Sequence, residues 1–480
     1  MVLVVGACQP VATVPKPARG GTAVEALIGQ ADVLNPLFQS NESTRDVNSL
    51  IYQGLTTIDS QQNVVGQLAQ DWAVSADHLT YTFTLRDGVK WADGEPFVAD
   101  DVLFTFHILQ DLEYIYAGMA PAQIAASPYG GVRAFGTGPF KVGSINQLAI
   151  TLDRNPYAVP QPYLDHLVLR TYPATDPQSA IRAVLTGAAD LVGGIQPQEV
   201  STLQGRTDLT VQESRMFTNS FVTFNVDGDG KAFFSDAKVR VALVQAINRQ
   251  RVVNDVFGGR ADADPTPIPT GDWAYSPAAA NLHPFDAAAA GSALDAAGWQ
   301  LDPASKLRTK KGVPFKISLA AADSYPNQQI ASAISSQLAE IGIEVDVKPL
   351  PASKLLQDYL LTHKYQMALI SIDVGPDPDQ YSLWHSGIDP GSLNFAYSRG
   401  WGLIDKDLED GRAAVDPPSR LAAYIDFQML MADAAPAIFI YASRYEYAVS
   451  QRVHGVHMNK AIDPYERFQY VTDWYVNTKS

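Results

Sequence analysis

Residues 315–373 carry the pattern that most restricts the fold. Phe315 to Ala321 reads as a strand, and Ile330, Ile334, Leu338 and Ile341 then recur at helical spacing. Ile343, Val345 and Val347 alternate as a second strand, and Leu355, Leu356 and Tyr359 mark a second helix. Met367 to Ile372 is a third strand, apolar enough to lie centrally in a sheet. Two successive β-α-β crossovers imply parallel strands joined by right-handed connections. In open α/β sheets, ligands bind beyond the carboxyl ends of the strands. Those ends are Asp323-Ser324-Tyr325 and Asp373. An α/β protein with a binding site at those residues is expected.

The 480 residues allow two or three domains. With 35 Lys and Arg against 51 Asp and Glu, the net charge is -16, which argues against nucleic acid and anionic lipid as partners. No apolar run approaches the roughly 18 to 20 residues needed to span a bilayer. The single cysteine, Cys8, leaves no disulfide framework.

The rest of the chain gives a coarser reading. Gln9 to Gly21, with prolines at 10, 15 and 17, reads as a stiff tether outside the fold. Thr22 to Ile28 is a strand, and Val47 to Leu55 is helical. Leu79, Tyr81, Phe83 and Leu85 alternate with threonines, which predicts a strand with one buried face. Asp87-Gly88 and Asp93-Gly94 are turn signals. Asp100 or Asp101 then caps a helix with Val102, Phe106 and Leu109 on one face. Lys141 to Leu152 reads as a strand pair, Asp176 to Leu185 as a helix and Phe221 to Asn225 as a strand. Asp236 caps one long helix that Gly258-Gly259 stops, and prolines 265, 267 and 269 suggest a domain crossing.

Motifs for chemistry are sparse. There is no G-x-S-x-G elbow and no H-E-x-x-H, and His454 and His457 have the wrong spacing for a zinc helix. Asp373, Asp377 and Asp379 resemble the start of a calcium loop. Its sixth position would be Pro378 and its twelfth Trp384, so no metal is expected. Gly136-Thr137-Gly138-Pro139-Phe140 cannot cradle phosphate, because Pro139 removes a donor and no Lys-Ser/Thr follows. Carboxylates are plentiful enough that a secreted hydrolase stays open as an alternative class, although nothing positive supports it. Trp273, Tyr275, Tyr381 and Trp384 fall in loops where aromatic walls would suit a peptide or a sugar face.

From Trp72 to Val102 the chain follows, almost without a break, W-x-V-S-x-D-x-L-T-Y-T-F-x-L-R-x-G-V-K-W-x-D-G-x-P-x-x-A-x-D-V. This resembles the signature of family 5 extracellular solute-binding proteins, the peptide- and nickel-type receptors of ABC importers. Gly20-Gly21-Thr22, Leu34-Asn35-Pro36-Leu37, Gly54-Leu55-Thr56, the 136–140 turn and Gly187 to Asp190 resemble other parts of that family. Val5-Gly6-Ala7-Cys8 resembles a lipobox, which would make Cys8 a lipidation site.

The resemblance implies a periplasmic-binding-protein-like type II fold, with two hinged lobes closing around a solute and a small extra domain. The segments would be a signal remnant (1–8), a tether (9–21), a discontinuous lobe one (22–54, 166–264 and 456–480), a shortened inserted domain (55–165) and lobe two (265–455). It implies a substrate-binding lipoprotein, not an enzyme, that captures a peptide or similar small solute and delivers it to a membrane permease. An oligosaccharide or other non-peptide solute is the alternative. No cofactor and no nucleic acid are expected, and the protein would be a monomer, anchored by lipid on the extracytoplasmic face.

The resemblance also implies site residues. Asp373 takes the place of the aspartate that pairs with a peptide's α-ammonium, with Ser371 beside it. Tyr325, with Ser324 before it, matches a tyrosine of dipeptide receptors. The arginine two residues earlier in those receptors is Asp323 here, so a longer peptide, a cationic ligand or a sugar fits better than a short peptide held by its carboxylate. Ser40 and Asn41 match a further contact point, and Trp273, Tyr275 and Trp384 complete the expected ligand-binding set.

Overall fold

The computed structural model describes residues 16–36, 41–110, 134–387, 392–396 and 401–479. Cys8 and Ser40 lie outside the described residues. The chain divides into two compact units. The first comprises Met1–Glu213, Glu446–Asn459 and Pro464–Ser480, and the second Ser214–Tyr445 and Lys460–Asp463. The crossing expected at 264/265 therefore falls inside the second unit, which takes in residues 214–264 together with residues 265–445.

In the first unit, β1 (Thr22–Ile28) leads to α1 (Glu42–Ile51), which starts earlier than expected because Asn41 caps it by accepting from Thr44 N–H at 2.8 Å. A hairpin follows, β2 (Ala69–Val74) and β3 (Tyr81–Leu85), and then α2 (Ala99–Gln110). Asp101 sits inside the first turn of α2, and its carboxylate reaches back to Val98 N–H (2.8 Å) and to the Trp91 indole (3.1 Å). It serves the helix start as the acidic member of a capping box would. β4 (Phe140–Ile145), β5 (Ala149–Arg154), β6 (His166–Tyr172), α3 (Gln178–Leu185) and β7 (Leu191–Val192) complete the unit's main elements. The strand order is β7-β1-β6-β5-β4, with β1 parallel to both its neighbours and the rest antiparallel.

Two expectations fail in this unit. The face of Leu79, Tyr81 and Phe83 is not buried: these residues are 84, 57 and 36 % exposed. The β2–β3 hairpin is a two-stranded sheet by itself, so alternation marks the strand without burying a face. The end of the supposed tether is also part of the fold, because Lys16–Ala18 pairs antiparallel with Asn477–Lys479. A two-stranded ribbon tolerates Pro17 because a proline can face outward from an edge.

The 136–140 turn has a packing role. A Cβ at Gly136 or Gly138 would meet the Ile51 carbonyl region at 1.9 or 2.6 Å, and Gly138 N–H donates to Ile51 O at 2.8 Å. Only glycine lets this turn close on the end of α1.

The second unit contains β8 (Thr218–Phe224), α4 (Ala237–Ala246), α5 (Arg249–Phe257), β9 (Ala261–Ala263), β10 (Lys316–Ala322), α6 (Tyr325–Glu340), β11 (Glu344–Leu350), β12 (Met367–Asp373), α7 (Gly402–Ala413), α8 (Pro417–Ala434) and the part of β13 (Ala437–Ser450) up to Tyr445. The order is β11-β10-β12-β8-β13-β9. β10 is parallel to β11 and β12, and the others run antiparallel. The two expected crossovers are present and β12 is central. Its apolar run serves both faces: Met367 and Leu369 join the core under α4, α5 and α6, while Ala368 and Ile370 join the core under α7 and α8. The long helix expected after Asp236 is two helices, because Asn248 interrupts it and caps α5 by accepting from Arg251 N–H at 2.9 Å. Gly258 ends α5 in the left-handed conformation, φ 59°.

Candidate functional site

The carboxyl ends of β10 and β12, both in the second unit, carry the residues that sequence placed at strand ends. Asp373 closes β12 opposite Thr218 in the antiparallel register with β8. Its side chain is exposed, and Oδ1 accepts from Gly375 N–H at 3.0 Å, which turns the chain away from the strand. Two residues earlier, Ser371 shares a hydrogen bond with Ser220 across β8 and β12 at 2.7 Å. The buried Tyr441 hydroxyl bonds Ser220, Ser371 and Ser443; burial, the largest influence, pushes it above the ordinary phenol value against those bonds. The sequence reading missed Ser220, Tyr441 and Ser443. The signal was present in the polar Asn219-Ser220 pair just before the apolar Phe221-Val222.

At the end of β10, Asp323 and Ser324 are exposed, and Tyr325 begins α6 with 57 % of its surface open. The Ser324 side chain makes no capping hydrogen bond, so it does not hold the helix start. Asp323, Ser324, Tyr325, Ser371 and Asp373 thus bring two carboxylates and three hydroxyls to adjacent strand ends. Such a set accepts hydrogen bonds from a cationic or hydroxyl-rich group.

Asp377 and Asp379 have other partners. Arg420 Nη2 donates to both Asp377 oxygens at 2.7 and 2.9 Å, and Arg412 Nε donates to Asp379 at 2.6 Å. Arg412 lies 4.0 Å from the Tyr381 ring, and Arg420 lies 5.7 Å from Trp273. These pairs fix the loop after β12 against α7 and α8.

Among the expected aromatic contacts, Trp384 is a correction. It is 1 % exposed and packs on Phe221, Phe395 and Phe439 beneath the sheet, so it is a core residue. The short turn of helix Tyr381–Trp384 directs it inward. Trp273 is half-buried against Tyr424, and Tyr275 is half-buried with its hydroxyl bonded to Thr270. Their loop is pinned by Asp264, which accepts from Thr270 N–H at 2.7 Å, and by Asp272, which accepts from Ala274 N–H at 2.7 Å. Burial pushes both carboxyls up to about 7.

Asn41, in the first unit, spends its side chain on structure. Beyond the cap, its amide donates to Gln30 O at 3.2 Å and to Asp32 at 3.0 Å.

Near the β8–β13 end of the sheet, Asp262 of β9 is clasped by Arg215 (3.0 Å) and Arg444 (2.6 Å). Desolvation is the largest single influence and would raise its pKa. The two arginines together outweigh it and hold the carboxyl below its ordinary value. Among the described residues no group of three or more His, Cys, Asp or Glu could hold a metal ion. None of the described helices is long and apolar enough to cross a membrane.

Comparison with known proteins places these features. The family model for bacterial extracellular solute-binding proteins, family 5 (middle region), matches residues 63–126 and 112–392. The oligopeptide-binding protein AppA of Bacillus subtilis is 23 % identical, over 94 % of this chain and 91 % of its own length. Its structure in complex with a nonapeptide superposes with a TM-score of 0.73 at 21 % identity, covering 96 % of this chain and 100 % of that one. The ABC transporter substrate-binding protein CtaP of Listeria monocytogenes gives a TM-score of 0.80 at 22 % identity, over 95 % of this chain and 99 % of that one. The nickel-binding periplasmic protein of Escherichia coli is 25 % identical over 84 % of this chain and 85 % of its length. The α/β fold is therefore the type II binding-protein fold. The matched proteins are described as extracellular solute-binding proteins, among them peptide-binding proteins of ABC transporters. By a match spanning more than half its length, the chain belongs to the bacterial extracellular solute-binding proteins of family 5.

Proposed function

We propose that this protein captures an amine-bearing solute, a peptide or a similar small molecule, and delivers it to an ABC permease. The observation that carries this reading is Asp373, an exposed carboxylate at the end of a central strand. The ligand ammonium pairs with Asp373, and Ser371, Ser324, Tyr325, Trp273 and Tyr275 supply polar and aromatic contacts around it. Asp323, a second exposed carboxylate, also favours a cationic ligand over an anionic one. The same acceptors suit sugar hydroxyls, which makes an oligosaccharide the second reading. Cys8 is lipidated and holds the protein at the membrane. Replacing Cys8→Ser in the full gene should move the protein to the soluble fraction; unchanged partition would remove the anchor.

The test of the ligand class is mass spectrometry of the solute that stays with the protein through gentle purification. An intact amine-bearing solute is expected, and its re-addition should raise the melting temperature by mass action. A ligand without an amine would overturn the ammonium contact. Steady conversion of an added peptide or glycoside would overturn the transport role.

A further inference from the structure

The loop that carries Trp273 and Tyr275 is held by more than Asp264 and Asp272. Gln428 of α8 is fully buried, and its side-chain amide meets the loop on both sides of Tyr275. Oε1 accepts from Ser276 N–H at 3.0 Å, and Nε2 donates to Ala274 O at 2.8 Å. Nε2 also donates to Tyr424 O, one turn back in α8, at 2.8 Å. Turning the amide over would set its oxygen against two carbonyls, so the orientation is fixed. The amide therefore meets Ala274 and Ser276 as the backbone of one residue in a parallel ladder would. Ala274 and Ser276 are 0 and 2 % exposed, so water does not replace either bond. At the far end of the side chain, the Tyr275 hydroxyl is bonded to Thr270. Tyr275 is thus held by its backbone and by its tip, and the half-buried ring is the part left to meet a solute.

We propose that Gln428 is a positioning residue for solute capture, fixing Tyr275 in its receiving conformation before a solute arrives. This role rests on Tyr275 being a solute contact. A loop that orders only on binding uses part of the interaction free energy for that ordering, whereas a loop already held does not. Gln428 has no exposed surface of its own, so its effect on affinity passes through the loop. The ring face suits an apolar or aromatic part of the solute, because the hydroxyl is already bonded to Thr270.

The probe is the solute fraction released from the unaltered full chain by denaturation, returned to solute-free protein in equilibrium dialysis and quantified by mass spectrometry. Tyr275→Ala should weaken binding about three- to tenfold. Gln428→Met keeps the side-chain length, removes all three hydrogen bonds and should weaken binding by a similar factor. Thr270→Val, at a partly exposed position, should weaken it about twofold. A double-mutant cycle separates positioning from general support. In the Tyr275→Ala background, Gln428→Met should change affinity less than about twofold, because the ring it positions is gone, while still lowering the melting temperature of the empty protein. Equal losses of affinity in both backgrounds would overturn the role. If Gln428→Met does not fold, Gln428→Asn, which stays polar but ends one methylene short of the loop, takes its place in the cycle. Full affinity in Gln428→Met beside a weakened Tyr275→Ala would overturn the positioning alone. Full affinity in Tyr275→Ala would remove the contact and the positioning together, and would leave the amine contact at Asp373 standing.

Discussion

Two sets of carboxylates, one in each unit, have opposite fates. In the first, Glu25 and Asp46 are 0 and 2 % exposed and share Arg467, itself 2 % exposed. Arg467 grips Asp46 with both terminal nitrogens (2.7 and 2.8 Å), reaches Glu25 through Nε (3.2 Å) and lies 4.1 Å from the Phe468 ring. Tyr447 donates to the other Glu25 oxygen at 2.7 Å. In the second unit, Asp373 and Asp323 are exposed at strand ends. Buried charge is tolerated only when every partner is in place, so the first set is committed to the fold. The exposed set lies at strand ends open to solvent, where a ligand can reach it. One set should therefore govern stability with little direct effect on ligand contacts, and the other should do the reverse.

The largest expected effect tests the buried side. Arg467→Met leaves two carboxylates in a dry site without their cation, and should cost the first unit about 3–5 kcal/mol in urea unfolding. A loss below about 1 kcal/mol would mean that the network is not what holds this region.

A pH effect of somewhat smaller size comes from Glu25. Burial, outweighing Arg467 and Tyr447, raises its pKa from 4.5 to about 7. Between those values the folded chain keeps a proton that the unfolded chain has released. Stability is thus fully present below about pH 4.5, falls as pH rises through the window, and levels off above about 7. Glu25→Gln removes that dependence. The variant should gain on the unaltered protein by up to about 1.4 kcal/mol per pH unit across the window. Parallel profiles, measured by denaturant unfolding at pH 5 and 8, would contradict the assignment.

The smallest effect lies between the two extremes. Asp377 is 59 % exposed and Arg420 27 %, so their pair is mostly solvated. Arg420→Ala should cost about 1 kcal/mol or less in stability, even with the Trp273 and Tyr424 faces beside it. Ligand affinity should change less than threefold in calorimetry. A larger loss of affinity would make the loop after β12 part of the recognition surface.

These differences show what the sequence could reveal. The strands β10, β11 and β12 and the two crossovers that join them were legible because the apolar runs and the intervening helical stripes are local patterns. The β2–β3 strands were legible as strands, but their exposure was not, because alternation carries no information about what lies against a face. The break at Asn248 was missed because a single capping residue competes there with a continuous apolar period. Arg467 went unread because its partners lie 421 and 442 residues away. Arg412 and Arg420 were missed for the same reason, 33 and 43 residues from Asp379 and Asp377. Asp373 was singled out by its place at a strand end and by family resemblance, whereas the hydroxyls of Ser220 and Tyr441 meet Ser371 only through sheet register. Trp384 shows the converse error, since its position in a polar-looking loop concealed a side chain that belongs to the core.

The most direct measurement is a titration-calorimetry cycle on the solute recovered from the protein. It compares the free amine with its N-acetylated form, on the unaltered protein and on Asp373→Ala, with melting temperatures measured alongside. Acetylation should weaken binding to the unaltered protein tenfold or more, as expected for losing a charge-assisted hydrogen bond of about 1.5–3 kcal/mol. It should change binding to Asp373→Ala little, and both proteins should melt at nearly the same temperature without ligand. An equal loss on acetylation in both proteins would mean that Asp373 does not hold the ligand amine, and would contradict the account.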